Sequence, residues 1–242
     1  FALAVLVHDG AHNLLFSNSK VNDFISQWLC AYPIFQDNRV YKPYHLKHHR
    51  FTETKDDPDL ALSAPFPITK KSFLREILRD VTGITGFRRY SQALLSILKT
   101  HGNTTNDRLK GVWFKIHGFI ITNILIFIAI SIAFHWSFYF LLWWLPAFTY
   151  YSLIIRIRNI AEHCVTSGST DLDNTRTTLT NPFVRFLMAP HRVNYHLEHH
   201  LFLMCPWYNL PKAHMMMIEN GYKDKMCINQ SYRSVLYKAV SA

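Results

Sequence analysis

The chain has 242 residues, of which 49% are hydrophobic and only 17% are charged, against about 25% charged residues in ordinary soluble domains. This composition excludes an intrinsically disordered chain and argues against an ordinary soluble protein. Lysine and arginine number 26 and aspartate and glutamate 16, so the formal net charge is +10. Such an excess suits a nucleic-acid surface or an anionic membrane face. No recognised nucleic-acid motif accompanies it, so we predict no nucleic-acid partner, and the length predicts a single domain over residues 1–242.

The first residues and the cysteines carry weaker signals. An uncharged apolar run over residues 1–7 is too short to cross a membrane, and we interpret it as the end of a helix whose start is missing. The cysteines at positions 30, 164, 205 and 227 form no Cys-x-x-Cys pair. Neither a disulfide framework nor a zinc ribbon is therefore predicted, and a reducing, cytosol-facing location is inferred.

Residues 69–81 combine apolar residues at helical spacing with a dense set of basic side chains. The apolar members are Phe73, Leu74, Ile77, Leu78 and Val81, and the basic members are Lys70, Lys71, Arg75 and Arg79. This pattern predicts an amphipathic helix. Two interpretations stay open, because such a helix either lies on a bilayer surface or packs against the rest of a soluble domain.

The 38 residues from Gly118 to Ile155 contain no Asp, Glu, Lys or Arg. At about 1.5 Å per residue, two helices of about 18 to 19 residues would each just span a hydrocarbon layer of ~30 Å. We therefore predict a transmembrane hairpin that turns around residues 135–137, with Pro146 kinking its second helix. The fold class is an all-α integral membrane protein with a cytosolic helical cap. All 26 basic residues lie in the segments that flank the hairpin. The positive-inside rule therefore predicts that both segments lie in the cytoplasm, at a bacterial inner membrane or the endoplasmic reticulum.

The histidines carry the strongest signal, because nine of the 14 fall into four groups. The groups are His8 and His12; His45, His48 and His49; His163; and His196, His199 and His200. Counted from the first histidine of each cluster, every spacing is i+3 or i+4, so each cluster can direct its imidazoles to one point from a helix face. We predict a helix after Pro190 for the last group, reached through a loop over residues 166–180. Nine imidazoles are too many for one ion, so the pattern predicts two metal ions.

In type, order and separation, these histidine boxes resemble those of the membrane fatty acid desaturase superfamily, which also includes sphingolipid desaturases, carotenoid ketolases and alkane hydroxylases. The resemblance covers nearly the whole chain, including the charge-free hairpin between the second and third boxes. It implies that nine histidines ligate two non-haem iron ions, namely His8, His12, His45, His48, His49, His163, His196, His199 and His200. It also implies that the domain lacks its N-terminal membrane helices.

Four further residues are candidates for supporting roles at the metals. Asn159 lies four residues before His163, where some family members place an asparagine that reaches one iron through water. Asp9, Glu162 and Glu198 sit beside predicted ligands and can accept hydrogen bonds from imidazole N–H groups. A surface or helix-capping role is the alternative for each.

The resemblance implies an O2-dependent desaturase that introduces a double bond into a lipid acyl chain, with electrons from a separate carrier such as ferredoxin or cytochrome b5. A di-iron lipid hydroxylase or carotenoid ketolase is the alternative, and a histidine-rich membrane zinc protein is a third. The aromatic residues Phe138, Tyr139, Trp143 and Trp144 either line the substrate path or pack the hairpin. The remaining histidines are not predicted as ligands. His191 and His214 lie before and after the third box in sequence, and a position close to the metals without binding them is the alternative for each.

Overall fold

The computed structural model describes residues 1–168 and 170–241, and almost all regular structure in this part of the chain is helical. The helices are α1 (Ala2–Ala11), α2 (Ser19–Ile25), α3 (Asn38–Phe51), α4 (Leu60–Ser63), α5 (Lys70–Val81), α6 (Ile84–Leu98), α7 (Thr105–Ala133), α8 (Ser137–Tyr139), α9 (Leu145–Phe148), α10 (Tyr150–His163), α11 (Pro182–Met188), α12 (His196–Leu201), α13 (Leu210–Glu219) and α14 (Tyr232–Ala239). Turns of π helix lie at Ser26–Ala31 and Phe140–Trp144, and 3-10 turns at Tyr32–Ile34, Pro190–Arg192, Trp207–Asn209 and Lys223–Lys225. The all-α prediction is confirmed.

Four two-residue strands form two small parallel pairs. Strand β1 (Ile68–Thr69) pairs with β4 (Val240–Ser241), and β2 (Thr177–Thr178) pairs with β3 (Ile228–Asn229). The β2 strand lies within residues 166–180, for which the sequence predicted only a loop. In each pair, a parallel ladder connects two segments that are far apart in sequence.

The predicted hairpin is present, and both of its arms are long and apolar enough to cross a membrane. Its first arm, α7, has 29 residues and begins earlier than the charge-free run, at a capping box between Thr104 and Asp107. The chain turns at residues 134–136, where the sequence predicted the break, and the Nδ1 atom of His135 lies 2.9 Å from the Ser137 hydroxyl. Most of the apolar surface of both arms faces outward, as a lipid environment requires.

The second arm is bent around Pro146. A π-helical turn over Phe140–Trp144 precedes the proline, and Thr149 adopts non-helical angles of φ −106° and ψ −82°. Arg89 of α6 donates a 2.9 Å hydrogen bond to the carbonyl of Ala147. This contact satisfies a carbonyl at the bend, where the non-helical angles of Thr149 interrupt the helix.

Helix α5 matches the predicted amphipathic segment, and Thr69 caps its first turn. One face packs on α10, where Arg156 donates to the Asp80 carboxylate at 2.5 Å and to Glu76 at 2.8 Å. Asp80 is fully buried there. The interpretation as a helix packed on the domain is therefore supported, while the exposed side chains of Leu74 and Leu78 leave the bilayer contact as a prediction.

The main hydrophobic cluster joins α1, α10 and α14 beneath the histidine boxes. Its buried members include Val5 of α1, Ile160 of α10 and Val235 of α14. Arg176 is also buried here, and its guanidinium donates to four carbonyl groups at the end of α10, those of residues 160, 161, 164 and 165. The last carbonyls of a helix lack partners within it, so this arginine caps the helix end that carries His163.

Candidate metal centre

Four helices supply the nine histidines of the boxes. Helix α1 carries His8 and is followed directly by His12; α3 carries the second box; α10 ends on His163; and α12 carries the third box. The helix predicted after Pro190 begins only at His196, after a 3-10 turn. Gly10 lets α1 approach the π turn closely, because a Cβ atom at this position would lie 2.2 Å from the Ser26 hydroxyl.

The nine imidazoles form two groups, each with its ligand atoms within 4.8 Å of one another. We call them the five-histidine group, with His8, His12, His45, His49 and His199, and the four-histidine group, with His48, His163, His196 and His200. The second and third boxes each contribute to both groups. On α3 the i+4 pair His45 and His49 faces one group, whereas His48 faces the other, because successive positions on a helix point in different directions.

The spacing of the ring nitrogens fits metal ligation. In the five-histidine group, the Nε2 atom of His12 lies 2.9 Å from that of His45 and 3.2 Å from that of His49, and the last two are 3.0 Å apart. Nitrogens bound about 2.0–2.1 Å from one ion are about 3 Å apart at tetrahedral or octahedral angles. Hydrogen bonds alone cannot satisfy this triangle, since at least two of three facing nitrogens must both donate or both accept.

The four-histidine group has the same spacing. The Nε2 atom of His196 lies 2.9 Å from that of His163 and 3.1 Å from that of His200. The two groups are neighbours, because the rings of His49 and His200 are only 4.1 Å apart between centroids. The donor set therefore fits two ions held side by side.

Burial favours the neutral form of several box histidines, because it lowers their pKa. Burial, together with the nearby His8 and Lys42, lowers the pKa of His12 to about 3. Burial also holds the pKa of His45, His199 and His200 well below the usual value. A neutral imidazole offers a lone pair to a metal ion, so burial prepares these side chains for ligation.

Asp57 contacts a box histidine and was not identified from the sequence, where residues 55–59 of the chain resemble an ordinary turn. Its carboxylate lies 2.8 Å from the Nδ1 atom of His48 and also accepts the backbone N–H groups of Glu53 and Asp59. With Nδ1–H donated to Asp57, the Nε2 lone pair of His48 points to the four-histidine group. The acidic turn that contains Asp57, nine residues after His48, was the sequence feature that could have indicated this contact.

The predicted supporting residues have different surroundings. Asp9 contacts its neighbour His8, with Oδ1 3.2 Å from Nδ1. Glu162 accepts two hydrogen bonds from Arg158, and its other oxygen lies 3.9 Å from the Nδ1 atom of His196. Asn159 lines the cavity beside the histidines.

Glu198 faces away from the box imidazoles. It contacts the hydroxyl of Thr177 and lies 2.6 Å from the Nδ1 atom of His214. His214 is therefore linked to the third box through Glu198 and belongs to neither histidine group. The roles of Asp9, Asn159, Glu162 and Glu198 at the metals stay predictions.

The other histidines lie outside both groups. His191 packs against Trp207, with ring centroids 5.1 Å apart, and burial lowers its pKa. His101 and His135 are exposed, before α7 and at the hairpin turn respectively, whereas His117 on α7 is half-buried.

Two cavities meet beside the metal centre. The metal cavity, of about 190 Å³, is lined by box histidines together with Asn159 and Glu162. The apolar cavity, of about 200 Å³, is lined by residues of the hairpin that include Trp143 and Trp144. Phe1 and Tyr151 border both cavities, and their rings lie 6.2 Å apart. Of the aromatic residues predicted for the substrate path, Phe138 and Tyr139 do not line either cavity.

We expect Asp57→Asn to weaken metal retention and activity by about 10–100-fold, because an amide oxygen is a poorer acceptor for the Nδ1–H group of His48. Asp56→Asn is the matched control, since this neighbouring aspartate is exposed. Metal content per chain, measured by plasma mass spectrometry, checks the prediction. Equal metal content in the two variants would show that Asp57 is only a turn residue.

Comparison with known proteins agrees with this arrangement. The family profile described as fatty acid desaturase matches residues 1–232. The chain is similar to the dihydrorhizobitoxine desaturase of Bradyrhizobium elkanii, with 26% identity over 230 residues. The match covers 91% of this chain and 65% of that relative, so the chain spans a little under two thirds of the length of the curated relative it matches. With a family match over nearly its whole length, the chain belongs to the fatty acid desaturase family.

Proposed function

We propose that this chain is the core of a membrane-bound di-iron desaturase that introduces a double bond into a lipid acyl chain. The observation that carries the proposal is the pairing of two adjacent histidine groups with an apolar cavity between the hairpin and the metal centre. Per double bond, one O2 and two hydrogens of the chain combine with two electrons and two protons to give two waters. A separate carrier, ferredoxin or cytochrome b5, supplies the electrons.

The two histidine groups would hold one iron ion each. When bound, the irons would supply the oxidising chemistry that removes hydrogen from an unactivated C–H bond. Imidazole ligands accept iron, zinc, copper or nickel, so the choice of iron rests on the reaction, since zinc has no redox chemistry. Burial would keep imidazoles such as those of His12 and His45 neutral, and the Asp57 carboxylate would orient His48.

The apolar cavity would hold the acyl chain and exclude water from it. Trp143 and Trp144 form part of its wall, and Tyr151 stands where it meets the metal cavity. The Tyr151 hydroxyl accepts a 3.0 Å hydrogen bond from Gln36, which fixes the ring at this boundary. A methylene group that passes Tyr151 would come to rest against the histidine groups, which is the positioning that the reaction needs.

The hairpin would anchor the protein in the membrane. Both arms are long and apolar enough to cross a bilayer, and the basic residues flank them. We place the histidine cap on the cytoplasmic side, of a bacterial inner membrane or of the endoplasmic reticulum, where electron carriers have access to it.

The test is an untargeted mass-spectrometric lipid profile of cells that express the full-length protein, compared with cells that express its His199→Ala variant. We expect a lipid lighter by two hydrogens in the first cells only, and its structure names the substrate and the position of the double bond. A product heavier by one oxygen would instead assign a hydroxylase, or a ketolase if it carries a carbonyl. Identical profiles combined with zinc and no iron in the purified protein would favour the zinc protein.

A further inference from the structure

A third cavity, of about 670 Å³, adjoins the apolar cavity on the side of α11. We call it the basic cleft, and it is bordered by Arg185, His191, Arg192 and Trp207. Phe1, Ala2 and Tyr150 border both the basic cleft and the apolar cavity. A molecule with a polar head and an apolar tail can therefore occupy the two cavities together.

The cations of the basic cleft are unpaired. Among residues 1–168 and 170–241, neither the Arg185 nor the Arg192 side chain makes an ion pair or a hydrogen bond, although both are half-buried. Other half-buried arginines are engaged: Arg156 binds two carboxylates and Arg158 binds Glu162. No Asp or Glu borders the cleft, so it presents two guanidinium groups without a counter-ion.

The backbone beneath these cations is strained. His191 and Arg192 adopt left-handed conformations with φ of +51° and +56°, which residues other than glycine rarely adopt. Such conformations persist where the surrounding structure enforces them, and they concentrate at ligand-binding sites. Trp207 packs against His191 and closes one wall of the cleft.

We propose that the basic cleft binds the phosphate of the substrate's head group, with Arg185 and Arg192 as its ligands, while the acyl chain extends into the apolar cavity. Planar guanidinium groups match the geometry of phosphate oxygens, and the cleft offers two of them beside an amphipathic tryptophan. This inference rests on the proposed function and narrows it to a phosphate-bearing lipid, as opposed to a neutral lipid such as a carotenoid.

The test measures binding without turnover. The full-length protein, purified in detergent, is titrated anaerobically with a pyrene-labelled phosphatidylglycerol, and energy transfer from tryptophan to pyrene gives the Kd. Two further titrations accompany it. One uses a diacylglycerol with the same acyl chains, and the other uses inorganic phosphate as a competitor. Because neither O2 nor reductant is needed, a failure of this inference is distinguishable from a failure of the proposed desaturation, which the lipid profile tests.

We expect the Arg185→Gln/Arg192→Gln double variant to raise the Kd of the phospholipid at least about tenfold and to leave that of the diacylglycerol unchanged. Arg192→Lys, which keeps the charge but loses the planar fork, should give a smaller increase. Arg88→Gln is the matched control, because Arg88 is exposed and borders none of these cavities. Metal content and elution volume in gel filtration show that each variant is folded.

Three results would overturn the inference. One is a diacylglycerol that binds as tightly as the phospholipid to the wild-type protein. Another is a phospholipid Kd in the folded double variant that equals the Kd of the Arg88→Gln control. The third is inorganic phosphate that binds as tightly as the lipid, because the cleft would then be a site for free phosphate and not for a lipid head.

Discussion

Replacing His199 by alanine is expected to reduce product formation more than about 100-fold while the protein still inserts into the membrane. The Nε2 atom of His199 lies 3.1 Å from that of His49, and its ring is 4.3 Å from the ring of His8. It is the only contribution of α12 to the five-histidine group. If His199 binds a metal ion as we propose, its replacement removes a direct ligand, which should cost more than the 10–100-fold typical of an outer-shell partner.

The measurement combines the amount of product with the metal content per chain. His196→Ala is the complementary variant, and it should remove the metal ion of the four-histidine group instead. His199→Ala and His196→Ala should each retain about one ion per chain. His101→Ala is the control, because this exposed histidine belongs to neither group. Turnover of His199→Ala at the wild-type rate, or two ions retained in both ligand variants, would disprove the assignment.

The histidine boxes could be predicted from the sequence because their spacing is local. Positions three and four apart on one helix meet whatever the rest of the fold does, so eight of the nine histidines stand out by spacing, whereas His163 was included through the family resemblance. The hairpin was predictable for a similar reason, since an uninterrupted uncharged run has few alternatives to crossing a membrane. The turn at His135 followed from the length of the run.

The division of the boxes between the two groups could not be predicted. His48 and His49 are neighbours in one box but face different groups, because the direction of each side chain depends on how α3 packs against α1, α10 and α12. The same limit explains why Asp57 could not be identified from the sequence. Its contact with His48 requires the chain after α3 to fold back onto that helix, and no local pattern specifies this return.

Arg176 is the clearest example of contacts that a local pattern could not predict. The sequence placed this residue in a loop, whereas the structure buries it. Its guanidinium donates to the carbonyls of Ala161, Cys164 and Val165 at 2.8–3.2 Å and to that of Ile160 at 3.4 Å. A charged side chain is seldom found inside a protein without such partners. Here the partners are carbonyls at and just beyond a helix end, which carries partial negative charge.

We expect Arg176→Met to lower the free energy of unfolding by about 3 kcal/mol or more, since several buried carbonyls lose their donor. The end of α10 should then loosen, and His163, its last residue, should lose its fixed position in the four-histidine group. Metal content should therefore fall towards one ion per chain even though no ligand has been replaced. Denaturant unfolding in detergent and metal analysis measure the two effects.

Arg176→Lys and Arg88→Met separate the causes of this loss. Lysine keeps the positive charge but cannot reach four carbonyls with one ammonium group, so its stability should lie between those of the wild type and of Arg176→Met. Arg88→Met removes an exposed arginine and should leave stability and metal content unchanged. If Arg176→Met unfolds like the wild type and keeps both ions, then the helix end does not depend on this cap. His163 would in that case be positioned by the packing of Ile160 and Ala161 in the hydrophobic cluster alone.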